Sequence, residues 1–392
     1  MRGALSDEGV SLYVHLPFCV KKCRYCDFNS YAWSGQSLAQ HVDALLAEAR
    51  LRAGGLRPQT VFFGGGTPSF LPAPELTRLL SGLDAITGFR ASAKEVTLEA
   101  NPESFDSARA EACAAGGVTR ISLGVQSLQP DVLQAYDRVH DADGARRAFQ
   151  NARQAGFRRV NCDLIFAFPG QNPAVWRQDL TEVLSWQPEH LSCYELSYEP
   201  GTALTKLRDA GRWEAEESQR CRELFDMTAE IAEQHGFGAY EVSAFARAGE
   251  ASLHNLAYWR SLDYVGIGAG AASWRRGERR KNLARPDAYE AALAAGADPA
   301  AELERPRALT ALFDNLMMGL RLREEGVSHA RLQARTGLLP DEAHGAVWQA
   351  LHEEGLLETI GNGSERRTRA TPNGLLFLDD LLTRLAPDTL QV

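Results

Sequence analysis

Cys19-Val-Lys-Lys-Cys23-Arg-Tyr25-Cys26-Asp-Phe28 follows directly on the apolar-alternating run Ser11-Leu-Tyr-Val-His-Leu16. Three of the chain's seven cysteines thus sit in one short turn at a strand end, and the lysines and arginine among them would lower the thiol pKa values. A thiolate group of this kind reads as a metal site. Structural zinc wants four closed ligands, usually as two separated pairs, whereas this turn supplies three and leaves one position open. A four-iron cluster on three cysteines keeps one iron free for an exogenous ligand. Zinc completed by His15 or a distant cysteine is the alternative that the residues leave standing.

The chain has 392 residues, 44% of them hydrophobic, enough for a large core in two domains or one domain with an appendage. With 42 basic against 51 acidic residues the net charge is −9, which excludes a general electrostatic hold on nucleic acid or an anionic membrane. There is no apolar run of about 18 residues and no signal-like segment at the start, so the expectation is a cytoplasmic protein. Cysteine usage fits a reducing compartment.

Outward from the cysteine loop, a short apolar run and a helical stretch alternate about six times up to residue 240. The runs are Ser11–Leu16, Thr60–Phe63, Glu95–Glu99, Arg120–Gly124, Arg159–Leu164 and His190–Leu196. Helical periodicity covers Ser37–Ala53, Glu75–Leu83, Ser107–Ala115, Asp141–Gln154, Ala174–Ser185 and Glu216–Gln234. The rhythm predicts an α/β fold, a partial (β/α)6 barrel, whose chemistry lies at the carboxyl ends of its strands. The strand ends carry the residues to match. Gly64-Gly65-Gly66-Thr67-Pro68 frees backbone N–H groups for an anion or a ligand carboxylate, and fits neither a Walker loop nor a dinucleotide fingerprint. Glu99-Ala-Asn101-Pro102 places a carboxylate where a ribose or an amine could donate to it. Gly124-Val-Gln126 is followed by Arg138, and Asn161-Cys-Asp163 leads to Phe168-Pro169-Gly170-Gln171. A carboxylate within an apolar run, Asp163, needs partners, and Arg138 or a ligand hydroxyl would serve.

The βα rhythm ends at residues 241–303, predicted to be a connecting segment packed on the 1–240 core. It holds His254-Asn255-Leu-Ala-Tyr258-Trp259, glycine-rich Gly266-Ile-Gly268-Ala-Gly270 and basic Arg275-Arg276-Gly-Glu-Arg279-Arg280-Lys281. Histidine with flat aromatic neighbours suits haem, or simply a packed helix end, and arginines suit propionates or a solvated loop. Residues 294–306 read as a linker. The 304–392 region reads as a small, mainly helical, winged-helix-like domain: helices over Arg307–Leu322, Ser328–Thr336 and Asp341–Glu354, a hairpin around Gly361-Asn-Gly363, and a last helix over Pro372–Leu385. The acidic Asp341–Glu354 helix argues against DNA binding, and a lid over the barrel mouth is the expectation.

Together, Tyr13, the Cys19/Cys23/Cys26 triplet, Tyr25, Gly-Gly-Gly-Thr-Pro at 64–68, Glu99-x-Asn101-Pro102, Gly124-Val-Gln126, Arg138, Asp163 and Pro169-Gly170-Gln171 resemble the coproporphyrinogen-dehydrogenase branch of radical S-adenosylmethionine (SAM) proteins, in order, over roughly the first 240 residues. The resemblance implies a [4Fe-4S] cluster on Cys19, Cys23 and Cys26 and a SAM pocket lined by Tyr13, Tyr25, Gly65, Gly66, Thr67, Glu99, Gln126, Arg138 and Asp163, with Ser197 nearby. His254-Asn255-x-x-Tyr258-Trp259 is similar to the HNxxYW pattern of haem chaperones related to that dehydrogenase, and implies haem at His254, Tyr258 and Trp259. Two readings follow. One is anaerobic oxidative decarboxylation of a porphyrinogen, begun by a 5′-deoxyadenosyl radical. The other is a carrier that keeps the cluster and the SAM pocket but delivers haem to acceptor proteins, membrane-bound respiratory enzymes among them, with a homodimer left open. Phe28 stands where the dehydrogenase pattern has a fourth cysteine, the dehydrogenase's extension ahead of the loop has no counterpart before Cys19, and HNxxYW belongs to the chaperones. The expectation is therefore the chaperone, without dehydrogenase activity.

Overall fold

In the computed structural model, which describes residues 5–387, the alternating runs become the parallel strands β1 (Ser11–Leu16), β2 (Thr60–Gly65), β3 (Glu95–Ala100), β4 (Arg120–Gln126), β5 (Val160–Phe166) and β6 (His190–Glu195). Strict alternation decides which way each residue faces. Leu12, Val14, Val61, Phe63, Val96, Leu98, Ile121, Leu123, Cys162 and Leu164 are wholly or almost wholly buried against the outer helices. Between them, Phe62, Thr97, Glu99, Ser122, Asn161, Asp163 and Ser192 face the interior.

The outer layer is α1 (Leu38–Arg52), α2 (Ala73–Thr87), α3 (Ser107–Ala115), α4 (Ala142–Gln154), α5 (Pro173–Ser185) and α6 (Ser218–Gln234). Their starts are fixed locally: Ser37, Asp106, Asp141 and Asn172 each accept a first-turn N–H through the side chain, an arrangement worth about 1 kcal/mol apiece.

A seventh parallel strand, β9 (Tyr264–Ile267), pairs with the free side of β1, a position the lost βα rhythm did not suggest. Antiparallel strands extend both flanks: β7 (Gly238–Ala239) and β8 (Ala244–Ala246) beside β6, and β10 (Ala272–Arg275), β11 (Glu278–Asn282) and β12 (Ala300–Glu304) beside β9. The sheet runs β12-β11-β10-β9-β1-β2-β3-β4-β5-β6-β8-β7. Residues 294–306 are thus no simple linker. Their Ala/Pro/Asp composition hides an edge strand held by cross-strand charge, Arg279 lying opposite Glu304 and donating to it at 2.7 Å. Two members of the basic run are likewise spent within the fold: Arg279 also meets Asp314, and Arg280 pairs with Asp298.

Helix α7 (Leu253–Trp259) enters beneath the barrel, at the amino ends of the strands. Glu95, the first residue of β3, accepts from Leu253 N–H at 2.8 Å and His254 N–H at 3.2 Å, while its other oxygen takes Arg120 Nε at 3.0 Å. Helix α8 (Pro286–Ala294) packs on α1.

The carboxy-terminal domain gathers α9 (Ala308–Gly319), α10 (His329–Thr336), α11 (Pro340–Glu353) and α12 (Leu378–Leu385) around the sheet β13 (Val327–Ser328), β15 (Arg367–Ala370), β14 (Leu357–Ile360). Its core is Leu312, Leu316, Trp348, Leu351 and Leu381. The last helix is broken: Pro372–Leu376 is a separate turn, and Phe377 lies between it and α12. The expected lid is overturned by where this domain docks. Arg331 pairs with Asp7 at 2.9 Å, Glu325 with Arg260 at 2.6 Å and Arg335 with Asp263, all beside the amino ends of β1 and β9. The domain supports the barrel floor. Among the described residues, no helix is long and apolar enough to cross a membrane.

Candidate cofactor site

At the carboxyl end of β1 the chain forms a loop whose two ends are tied together. Phe18–Cys19 pairs in parallel with Tyr31–Ala32, and Trp33 N–H donates to Cys19 O at 2.8 Å. The loop is pinned from outside by Arg24 N–H on Tyr136 O at 3.2 Å and Leu204 N–H on Arg24 O at 2.9 Å. Cys19, Cys23 and Cys26 then line one cavity of about 630 Å³ that runs down the barrel axis.

The wall is built from strand ends. Gly66 takes its place because a Cβ there would lie 2.7 Å from the Pro17 carbonyl carbon; its N–H donates to Leu16 O at 2.7 Å. Glu99 accepts from Gly65 N–H at 3.1 Å. Burial, reinforced by the nearby Asp163 carboxyl, pushes the Glu99 pKa up to about 8. Asp163 accepts from Asn161 Nδ2 at 2.7 Å and Ser122 Oγ at 3.0 Å, and burial raises its pKa against those hydrogen bonds. Its expected partner, Arg138, acts on it only from a distance. Instead the Arg138 guanidinium donates to Asn101 Oδ1 and Gly124 O, both at 2.8 Å, and reaches Cys23 Sγ at 3.5 Å. Gln126 ends β4 at φ 66 beside a register shift in the ladder to β5, which turns the strand at the cavity edge.

The cavity brings together Tyr25, Gly65, Gly66, Thr67, Glu99, Gln126, Arg138, Asp163 and Ser197 with the three cysteines. Tyr13 is not in the wall. Its hydroxyl donates to His15 Nδ1 at 2.9 Å and its ring lies against Phe62, which covers it. His15 in turn donates through Nε2 to Asn29 O at 2.9 Å, so neither of its nitrogens is free for zinc. Burial lowers its pKa to about 4. The basic residues of the loop do not activate the thiols as expected. Lys21 and Arg24 are held by Asp137 at 2.8 and 2.9 Å, and burial dominates: Cys19 is pushed up to about 11 and Cys26 is raised.

The HNxxYW residues separate. Asn255 and Tyr258 face the cavity from its floor, whereas Trp259 points away, toward Asn315 and Gly319 of the carboxy-terminal domain. His254 is fully buried between Thr60 Oγ1 at 2.8 Å and Tyr258 Oη at 3.0 Å. The Thr60 hydroxyl proton goes to Ser11, so His254 Nδ1–H donates to Thr60 and Nε2 accepts from Tyr258. Burial lowers the His254 pKa to about 3. Held this way, His254 has both ring nitrogens engaged inside the protein, and the three residues face in three different directions.

The sequence pattern did not single out the rest of the inner wall: Thr97, Ser122, His190, Ser192 and Tyr194 also line the cavity, beside Asn161. Their signal is the polar residue at every second position of the strands, which lies in the strand middles and not at the ends.

A cavity at the carboxyl mouth of a parallel, incomplete barrel, with three cysteines in the first loop, defines a class. Residues 13–182 match the profile of the radical SAM superfamily, and residues 308–377 that of the HemN C-terminal domain. The chain is 32% identical to the heme chaperone HemW of Bacillus subtilis over 94% of its own length and 96% of that protein's. It is 36% identical to the mouse mitochondrial radical S-adenosyl methionine domain-containing protein 1, over 96% of this chain and 87% of that one. The structure of coproporphyrinogen III oxidase (HemN) from Escherichia coli, a radical SAM enzyme at 22% identity, superposes with a TM-score of 0.80 over 97% of this chain and 91% of its own, a likeness of fold. The chain belongs to the HemW family.

The family implies a [4Fe-4S] cluster and SAM, and the donor set suits both. Among the described residues no three His, Cys, Asp or Glu side chains converge closely enough for a single metal ion. The ligands of a cluster need not converge, since each thiolate takes a different iron. The Thr67 hydroxyl lies 3.3 Å from Cys19 Sγ, and the buried Arg138 cation faces Cys23, so donors and positive charge are aimed where thiolates would form. The carboxyl groups of Glu99 and Asp163 face the space beyond, suited to the hydroxyl and amino groups of a nucleoside-amino acid ligand.

Proposed function

We propose that this protein is a haem chaperone. It binds haem and passes it to acceptor proteins, while Cys19, Cys23 and Cys26 hold a [4Fe-4S] cluster and the barrel cavity holds an exchangeable SAM. The observation that carries this reading is identity along nearly the whole length to a relative named as a heme chaperone, combined with the three-cysteine cavity. The cluster, when bound, supplies electrons and an open iron corner. The chain's own part is to fix three thiols in one tied loop, to orient an amino-acid ligand between Arg138 and the glycine turn, and to seat a nucleoside against Glu99 and Asp163. The compartment follows as cytoplasmic, and the acceptors as haem proteins that extend to membrane-bound respiratory enzymes. The division into a 1–240 core, a 241–303 connecting segment and a 304–392 domain belongs to the same reading.

Since His254 is engaged on both sides, haem is received elsewhere than on its ring. Phe28, 60% exposed at the cavity rim, offers a flat apolar face there. Two measurements test the proposal. Anaerobically reconstituted protein binds one four-iron cluster per chain and Cys23→Ala does not; iron and sulfide retained by that variant would remove the cysteine assignment. Haem added to the protein shifts its Soret band and then transfers to an apo-acceptor. Turnover of coproporphyrinogen with SAM and reductant would replace the carrier reading by the dehydrogenase.

A further inference from the structure

Two of the three loop cysteines are joined through the protein by one chain of hydrogen bonds in the cavity wall. Arg138 Nη2 donates to Asn101 Oδ1 at 2.8 Å, Asn101 Nδ2 donates to Thr67 Oγ1 at 2.9 Å, and Thr67 Oγ1 donates to Cys19 Sγ at 3.3 Å, while Arg138 Nη1 reaches Cys23 Sγ at 3.5 Å. The direction of this chain is forced. Arginine has only donors, so the oxygen of Asn101 must face it and the amide nitrogen must face Thr67. Thr67 has a single hydroxyl proton, and because its oxygen already accepts from Asn101, that proton is free for sulfur. Asn101 is itself held rigid: its N–H donates to Ser69 Oγ at 3.2 Å and its carbonyl accepts from Ser104 N–H at 3.0 Å. Room for it comes from Gly124, where a Cβ would stand 2.8 Å from Asn101 Oδ1.

We propose that Asn101 is a positioning residue which, by fixing the direction of this chain, makes Thr67 a hydrogen-bond donor to Cys19 and so raises the reduction potential of the cluster. This rests on the cluster reading above. A donor to a ligating thiolate stabilises the more negative, reduced cluster, and hydrogen bonds to sulfur are among the levers that set such potentials. Asn101→Asp keeps the shape but turns both ends into acceptors; Thr67 then donates to the carboxylate, and Cys19 loses its bond. Thr67→Val removes the same bond without adding charge, and Thr67→Ser restores the hydroxyl.

The experiment is a potentiometric titration of the anaerobically reconstituted full-length protein followed by electron paramagnetic resonance, with iron and sulfide analysis of each sample. In Thr67→Val and Asn101→Asp the ratio of reduced to oxidised cluster at a fixed potential falls at least threefold, about 28 mV at 59 mV per tenfold for one electron. Thr67→Ser stays with the native protein. Equal potentials in native, Thr67→Val and Asn101→Asp proteins, all with full clusters, would overturn the proposal and leave the cluster reading intact. Native protein without iron and sulfide would overturn the cluster reading itself. Should Thr67→Val fail to assemble a cluster, assembly in Thr67→Ser supports the role of the hydroxyl, and failure in both counts against it.

Discussion

Replacing His254 with alanine empties a fully buried site and takes one hydrogen-bond partner from Thr60 of β2 and one from Tyr258 of α7. A large-to-small change in a core costs about 2–5 kcal/mol, and a buried hydroxyl left without its partner costs about 1–3 kcal/mol. Tyr258 Oη is that hydroxyl, although it lines the cavity, where water can replace part of the loss. A net cost of about 3–5 kcal/mol is expected, which at roughly 2 °C per kcal/mol lowers the melting temperature by about 6–10 °C. Because no ring nitrogen is available to iron, haem affinity measured by Soret titration well below the melt stays within about threefold of native. A His254→Ala protein with native thermal stability that no longer binds haem would refute this account and return His254 to the role of ligand. Acid supplies an independent check. His254 has its pKa lowered to about 3 from an ordinary 6.5, so the unfolded chain takes up this proton first. Its contribution to stability is complete above pH 6.5 and is lost as pH falls toward 3, a slope that His254→Gln removes.

Glu99, raised to about 8, keeps its proton at neutral pH in the ligand-free protein, and a cationic ligand favours its ionised form. SAM binding at pH 7 should therefore release a proton, seen as buffer-dependent enthalpy in calorimetry, and affinity should rise with pH until about 8; Glu99→Gln abolishes both, and unchanged proton release would exclude this carboxyl. Gly66→Ala drives a Cβ to 2.7 Å from the Pro17 backbone, so a loss of about 1–3 kcal/mol in chemical denaturation is expected, together with loss of cluster assembly. Ala167 holds φ 64, the left-handed region that a side chain resists, and Ala167→Gly should be neutral to stabilising by about 1 kcal/mol; a clear destabilisation would mean that its methyl packing outweighs the strain.

The parallel core was legible because short apolar runs alternate with helical periodicity from Ser11–Leu16 to His190–Glu195, and four of the six outer helices begin on a side-chain cap. Strand β9 escaped because Gly266 and Gly268 dilute its apolar signal, although both are there to let the backbone pass close to Ala272 and His15. Strand β12 escaped because cross-strand charge, not propensity, holds it. In the site, the turn residues singled out by their order along the chain lie together in one cavity. Facing direction is not set by that order: spacing places Tyr13 three residues before the end of β1 and His254 one turn from Tyr258, but only the packing of Phe62 and Thr60 decides that the first is covered and the second enclosed.

Helix α7 is a party wall. Asn255 and Tyr258 look into the cavity while Trp259 rests on the carboxy-terminal domain, so seven residues serve two lobes at once. A polypeptide truncated ahead of α9 would leave the underside of this wall, Trp259 included, facing solvent. The domain farthest from the cysteines in sequence is in this sense the foundation on which their chamber stands.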